Sequence, residues 1–354
     1  MLDAARYTAA VADTIPQRVR SRPRFVVFGA SALAVLVVTE LGVRIAESRL
    51  PEPLEYFSAD AQTMARDLDE LERRGIRSDL TFVGTSMVRR GIDANRFESE
   101  LEGVDFAHNV ALPGSQAPVV ERWLFDEVVP SLHPRRVIWG LSSIDFNAGR
   151  TNKTIERYER ARATEHGIVG SLDRGVAHLA ISAHRDTLRD PYELAQSMQG
   201  SPVRFDSRRP IGDRAVWELD ERPLGPAALD RLRDRHRSEV RDEQLVDFSL
   251  GDEELAAFRR AVRRLQNENI EVVIVIMPVP SGFRDLHPGG ASQFDEFRER
   301  ILAETSDLGA AAFDLNDAMA DDDFRDYEHL IPDAARRFSD LLADKLRTLG
   351  WYSR

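Results

Sequence analysis

Five short apolar runs punctuate this chain, at Leu80–Val83, Val104–Ala107, Val137–Leu141, Val272–Met277 and Ala311–Leu315. Helical patterns lie between several of them, at Val119–Val129, Glu254–Asn267 and Phe294–Glu304. This alternation constrains the fold more than any other feature. Short runs that stay apolar instead of alternating suit strands buried on both faces, and intervening helices supply the crossovers that parallel strands need. The expected architecture is therefore three-layer α/β/α around a mostly parallel five-stranded sheet. A charged amphipathic helix over Ala59–Arg74 leads into it, and another run through Leu346 closes it.

One interval breaks the rhythm. From Phe146 to about Val246 no buried strand is evident, and Arg-, Asp- and Glu-rich segments are interrupted by Asp190-Pro191, Ser201-Pro202, Arg209-Pro210 and Gly225-Pro226. A structureless loop of that length is improbable inside a compact domain. The interval is read as a helical insertion, about 147–246, between the third and fourth strands. Insertions at the C-terminal strand ends of open α/β sheets frame the site, so it is either a lid or polymer-binding element or a surface elaboration.

The N-terminal part is of a different kind. Phe25 to Val43 reads FVVFGASALAVLVVTELGV, with Thr39 and Glu40 the only break in an otherwise apolar stretch. A membrane helix needs about 20 mostly apolar residues. Arg18, Arg20, Arg22 and Arg24 precede the stretch, whereas Arg44 and Arg49 follow it. The positive-inside bias then places residues 1–24 in the cytoplasm, a single-pass helix at 25–43 in the cell membrane, and the large domain on the extracytoplasmic side. The alternatives are a cleaved signal peptide and a buried core helix. A linker with Pro51 and Pro53, together with the leading helix, fills 44–78, and the main domain runs from 79 to 354.

Composition excludes several functions. A net charge of −12 and the absence of a basic footprint argue against a nucleic-acid binder. With no cysteine, thiolate metal sites, disulfides and cysteine nucleophiles are ruled out. There is no phosphate loop of the Gly-x-x-x-x-Gly-Lys type, no Gly-x-Gly-x-x-Gly and no His-Glu-x-x-His. No cofactor and no metal are expected; the acid run Asp321-Asp322-Asp323 reads as solvated charge.

Two stretches carry chemistry when taken together. Leu80-Thr81-Phe82-Val83-Gly84-Thr85-Ser86 is a strand ending in Gly-x-Ser, which presents a hydroxyl at the C-terminal edge of a sheet. Asp326-Tyr327-Glu328-His329-Leu330 stands just before the last helix and supplies a base with an orienting carboxylate. Ser86, His329 and Asp326 are thus a candidate nucleophile, base and acid. Val88 occupies the place of the second glycine in Gly-x-Ser-x-Gly, so the α/β-hydrolase elbow is not met. His108 and His287 read as structural.

With these residues in view, the sequence resembles the SGNH/GDSL hydrolase superfamily, whose fold is flavodoxin-like. Val83-Gly84-Thr85-Ser86 is similar to its first block, Phe106 to Ser115 to the second, Val137 to Phe146 to the third, and Asp326-x-x-His329-Leu330 to the fifth. Arg89-Arg90-Gly91-Ile92-Asp93, with the N-terminal apolar stretch, resembles the membrane-attached branch. That branch includes the D-alanyl-transfer protein of teichoic acid operons and the alginate O-acetylation proteins.

The resemblance implies roles. Ser86 would be the nucleophile, His329 the general base and Asp326 the group that fixes the imidazole tautomer. The N–H groups of Ser86 and Gly114 would face the developing oxyanion. The third block normally adds an Asn, but Ser142-Ser143 follow Gly140-Leu141 here, which leaves Ser142, Ser143 or Asn147 as the third donor. Arg89 and Arg90 are either solvated charges or a clamp for an anionic substrate group. The function implied is a membrane-tethered, extracytoplasmic serine acyltransferase or esterase acting on O-acyl, chiefly acetyl, groups of cell-envelope glycan. An integral-membrane acyl carrier protein would be its partner. The competing reading is a catalytically silent module that binds glycan or scaffolds an envelope-modification complex.

Overall fold

The computed structural model of the chain describes residues 22–46, 59–150 and 225–352. In the main domain, α2 (Ala59–Arg73) leads to β1 (Leu80–Val83), then α3 (Ser86–Gly91) and α4 (Ala94–Glu100). Next come β2 (Ala107–Asn109), α5 (Ala117–Trp123), α6 (Val129–Leu132) and β3 (Arg136–Leu141). Beyond residue 224 stand α7 (Pro226–Glu239), α8 (Asp252–Asn267) and β4 (Glu271–Ile276). The short α9 (Ser281–Arg284), α10 (Ala291–Asp307), β5 (Ala311–Asp314) and α11 (Pro332–Thr348) complete the chain.

All five strands are parallel, in the order β2-β1-β3-β4-β5. The order reverses at β1, where the chain first runs to β2 and then returns past β1 to β3. Right-handed crossovers put the helices of the two directions on opposite faces. Accordingly α11 packs on α3 and α4, while α8 packs on α5. β1 and β3 are buried along their whole length, as their uninterrupted apolar runs require. An aromatic layer fills one face: Trp139 lies 5.5 Å from Phe258, and Phe146 lies 6.0 Å from Phe258 and 5.7 Å from Phe297.

The second strand begins later than its apolar run suggests. Val104 is buried, but the N–H groups of Asp105 and Phe106 go to the Asp79 carboxylate at 2.9 and 3.1 Å. Those donors are withdrawn from the ladder, so pairing starts at Ala107 opposite Leu80. The expected helix at Val119–Val129 is also remade. Pro130 has no N–H to give the preceding turn, and a π turn, Leu124–Val128, stands between α5 and α6. Such turns are the usual way a helix absorbs a broken ladder.

The remaining expectations fall partly outside the described residues. The linker from Leu50 to Phe57 does, as do residues 151–224 of the insertion; the insertion's described end is helical, as α7 and a π turn at Val240–Gln244. Asn147 closes its base. The amide nitrogen of Asn147 donates to Gln244 O and Val246 O at 2.8 and 3.2 Å, and its oxygen accepts from the N–H groups of Gly149 and Ser249.

The N-terminal unit is described by one helix, α1 (Arg22–Ala46), which extends beyond the expected 25–43 at both ends. Val35, Val38 and Ile45 on it are 67%, 70% and 74% exposed. Among the described residues no helix is long and apolar enough to cross a membrane. The span at 25–43 itself falls partly on side chains outside that description.

Candidate active site

The site forms at the C-terminal edge of the sheet, beside the point where strand order reverses. β1 is followed by Gly84, whose φ of +144° is a conformation that side chains rarely adopt. A Cβ there would stand 2.5 Å from Gly140 O and 2.5 Å from Val88 Cγ2. Glycine therefore lets the first turn press against β3. Thr85, extended at φ −103°, is the residue before α3, and Ser86 is its first helical residue, half-buried. At that position an N–H has no intrahelical acceptor, and the helix terminus favours negative charge.

The segment between Asp323 and Ile331 is a closed loop. Arg325 N–H donates to His329 O at 2.8 Å, Ile331 N–H to Asp323 O at 2.9 Å, and Phe324 bridges Leu330. Within it the His329 Nδ1 proton is shared by both oxygens of Asp326, each at 3.0 Å. Asp326 Oδ1 also accepts from the N–H groups of Glu328 and His329, at 2.9 and 2.8 Å. Burial alone would raise the Asp326 carboxyl. The hydrogen bond and charge of His329, the neighbouring His236 and the Glu328 N–H outweigh it and hold the group far below the usual carboxylate range.

With Nδ1 committed as donor, His329 Nε2 carries the lone pair. That nitrogen is buried and has no hydrogen-bond partner. A buried polar atom left unpaired costs roughly 1–3 kcal/mol, and such atoms persist at functional sites. Ser86 lies at the same edge of the sheet but is not hydrogen-bonded to this nitrogen. The structure thus joins His329 to Asp326 and leaves the serine unjoined.

The proposed oxyanion donors divide. Gly114 takes φ +73° in an exposed turn after β2. Ser142 N–H donates to Asp145 Oδ2 at 2.8 Å. Ser143 is fully buried, and its hydroxyl donates to His287 Nε2 at 2.9 Å while His287 Nδ1 donates to Arg284 O. Burial holds His287 neutral, its pKa lowered to about 4. The Asn147 amide closes the insertion, as above. Ser142, Ser143 and Asn147 therefore have these donors committed elsewhere. Arg89 reaches Ala111 O at 3.5 Å, in the loop that leads to Gly114, and Arg90 is exposed.

Three further groups stand here that the sequence reading did not single out. His236, on α7, has Nε2 3.0 Å from Glu328 Oε2 and Nδ1 3.7 Å from Asp326 Oδ1, and Tyr327 N–H donates to Nδ1 at 3.3 Å. Glu328 is buried. Asp145 is buried too, and burial, reinforced by the charge of Glu328, pushes its carboxyl up to about 8 against the Ser142 N–H and Arg150. Only the local pattern Ser142-x-x-Asp145, a capping turn, was available as a sequence signal for it. His236 had none, because its partners lie 90 residues away.

His236, Asp326 and His329 offer ligand atoms within 4.8 Å of one another. Three of their four ring nitrogens are already engaged: His329 Nδ1 donates to the carboxylate, His236 Nδ1 accepts from Tyr327 and His236 Nε2 donates to Glu328, while His329 Nε2 keeps its lone pair. This is a hydrogen-bonded dyad with a flanking imidazole.

No family model matches the chain, and no curated protein does. Solved structures share its outline weakly. A GDSL-like lipase from Bacteroides thetaiotaomicron is 8% identical with a TM-score of 0.40, over 83% of this chain and 99% of that one. Est24, a carbohydrate acetylesterase from Sinorhizobium meliloti, is 13% identical with a TM-score of 0.37, over 77% and 100%. An aryl esterase of M. smegmatis is 13% identical with a TM-score of 0.34, over 76% and 98%. Similarity at this level does not define the activity of the chain.

Proposed function

We propose that the protein is a serine acyl-transfer enzyme of the SGNH type, an esterase or O-acyltransferase. The observation that carries this reading is the buried His329–Asp326 pair whose Nε2 lone pair has no partner. In the proposed reaction the Ser86 hydroxyl attacks an acyl carbonyl as His329 Nε2 takes its proton. The tetrahedral oxyanion is held by the N–H groups of Ser86 and Gly114, and collapse expels the alcohol, which receives that proton. Water or a sugar hydroxyl then repeats the sequence on the acyl-enzyme, with His329 again as base.

The finer reading rests on the N-terminal apolar stretch and its arginine asymmetry, together with the exposed aliphatic side chains of α1. The enzyme is tethered to the cell membrane with its main domain extracytoplasmic, and it acts on O-acyl groups of envelope glycan. The acyl group is supplied by an integral-membrane carrier if the reaction is transfer. A second reading, a silent glycan-binding or scaffolding module, is favoured by the engagement of Ser142, Ser143 and Asn147 and by the absence of a Ser86–His329 hydrogen bond.

The two readings separate on treatment of the purified full chain with a fluorophosphonate, followed by intact mass. The enzyme gives one adduct, absent from Ser86→Ala and formed at least about 100-fold more slowly in His329→Ala. A folded chain that takes up no label supports the silent module.

A further inference from the structure

The acid–base pair does not stand alone on its loop. α7 crosses it and holds it at two points. Arg233 Nη2 donates to Phe324 O at 2.7 Å at the start of the loop. His236, one helical turn on, meets Tyr327 and Glu328 at its middle. The two His236 nitrogens are used differently: Nδ1 accepts the Tyr327 N–H, and Nε2 donates to the Glu328 carboxylate. His236 is only 12% exposed at its side chain, and its ring lies 5.5 Å from that of His329.

Charge accounts for the need. Asp326 and Glu328 are both buried, two residues apart, and Glu328 also acts on buried Asp145. His236 stands against both, with Nε2 3.0 Å from Glu328 Oε2 and Nδ1 3.7 Å from Asp326 Oδ1. A buried carboxylate that loses its partner is strongly destabilising. The groups that set the state of His236 are Asp326, Glu328 and Glu239. Burial disfavours its proton, yet their pull raises its pKa above the ordinary histidine value.

We propose that His236 is the positioning residue of the acyl-transfer site, holding the Asp326–His329 loop through Tyr327 and Glu328. It does not touch the reacting atoms. This inference rests on the reading of His329 as general base, but its own test does not.

The experiment compares the full-length parent with His236→Leu, His236→Gln and His236→Leu/Glu328→Gln. Fluorophosphonate labelling rates are followed from pH 5.5 to 9, and the His329 ring resonances are followed by NMR in the same samples. Leucine removes both contacts, so labelling at neutral pH falls about tenfold. Glutamine can keep both contacts, its amide donating to Glu328 and its oxygen accepting from Tyr327. It labels within about twofold of parent at pH 8. Leucine also moves the His329 ring resonances, and glutamine leaves them in place. Removing the Glu328 charge as well restores much of the rate. A folded His236→Leu that labels as the parent does, with its His329 ring resonances in place, overturns the proposal. If the parent takes no label at any pH, the acyl-transfer reading fails, while the NMR comparison still decides the role of His236.

Discussion

Two buried carboxyl groups, Asp326 on the loop and Asp145 under the influence of the loop's Glu328, are driven in opposite directions by their surroundings. Asp326 accepts two backbone N–H donors and a histidine ring proton, which stabilises its charged form. Asp145 has one close backbone donor and full burial, which stabilises its neutral form up to about pH 8. The stability consequences are opposite in sign. A carboxyl raised in the folded state stabilises the fold fully only below its unfolded pKa, near 3.8, because above that the unfolded chain ionises first. Stability from Asp145 therefore declines between about pH 4 and about pH 8. Asp145→Asn cannot ionise, so its melting temperature relative to the parent should rise steadily across that window in thermal scans. A constant offset would show that Asp145 is already ionised at low pH. Asp326 runs the other way: its stabilisation is present above pH 4 and lost as pH falls, so Asp326→Asn should be most destabilised at neutral pH and least in acid.

At the scale of elements, sequence and structure agree where burial and backbone pairing coincide. β1, β3, β4 and β5 were legible as apolar runs because each run also occupies its ladder. β2 was misplaced because Val104 is buried without pairing, while polar His108 and Asn109 pair without looking apolar. Helix α8 was legible from its period, and its apolar face includes Phe258, fully buried against Trp139 and Phe146. Truncation of such a side chain leaves a cavity worth about 3–5 kcal/mol. Phe258→Ala should lower the denaturant midpoint accordingly without altering its slope. The loop from Asp323 to Ile331 was legible as a motif, since Asp326 and His329 are three residues apart. The part of the site contributed by α7 was not, because nothing local to His236 announces a partner at Glu328.

For the molecule as a whole, the apolar N-terminal stretch and the main domain make different demands on solvent. On α1 the side chains of Val35, Leu36, Val37, Val38, Leu41 and Ile45 are exposed while Val43 is buried, and exposed groups of that kind mark an interaction or membrane surface. If 25–43 is a membrane helix, the full chain sediments with membranes and is released by detergent but not by alkaline carbonate. A chain begun at Pro51 then stays in the soluble fraction and labels at Ser86 like the parent. Recovery of the full chain from the alkaline wash would reassign the stretch to a cleaved or peripheral segment.

The grip of α7 on the Asp-x-x-His loop has an evolutionary corollary. In many enzymes the segment inserted above a sheet can be exchanged for another while the reacting groups beneath keep their own support. Here the last helix of the insertion supplies one hydrogen-bond donor and one acceptor to the loop that carries His329. A lineage that trims or replaces this insertion alters the support of His329 in the same step. Under the proposed acyl-transfer reading, what the protein accepts and how fast it turns over are inherited as one trait, and divergence in the first must be accompanied by retuning of the second.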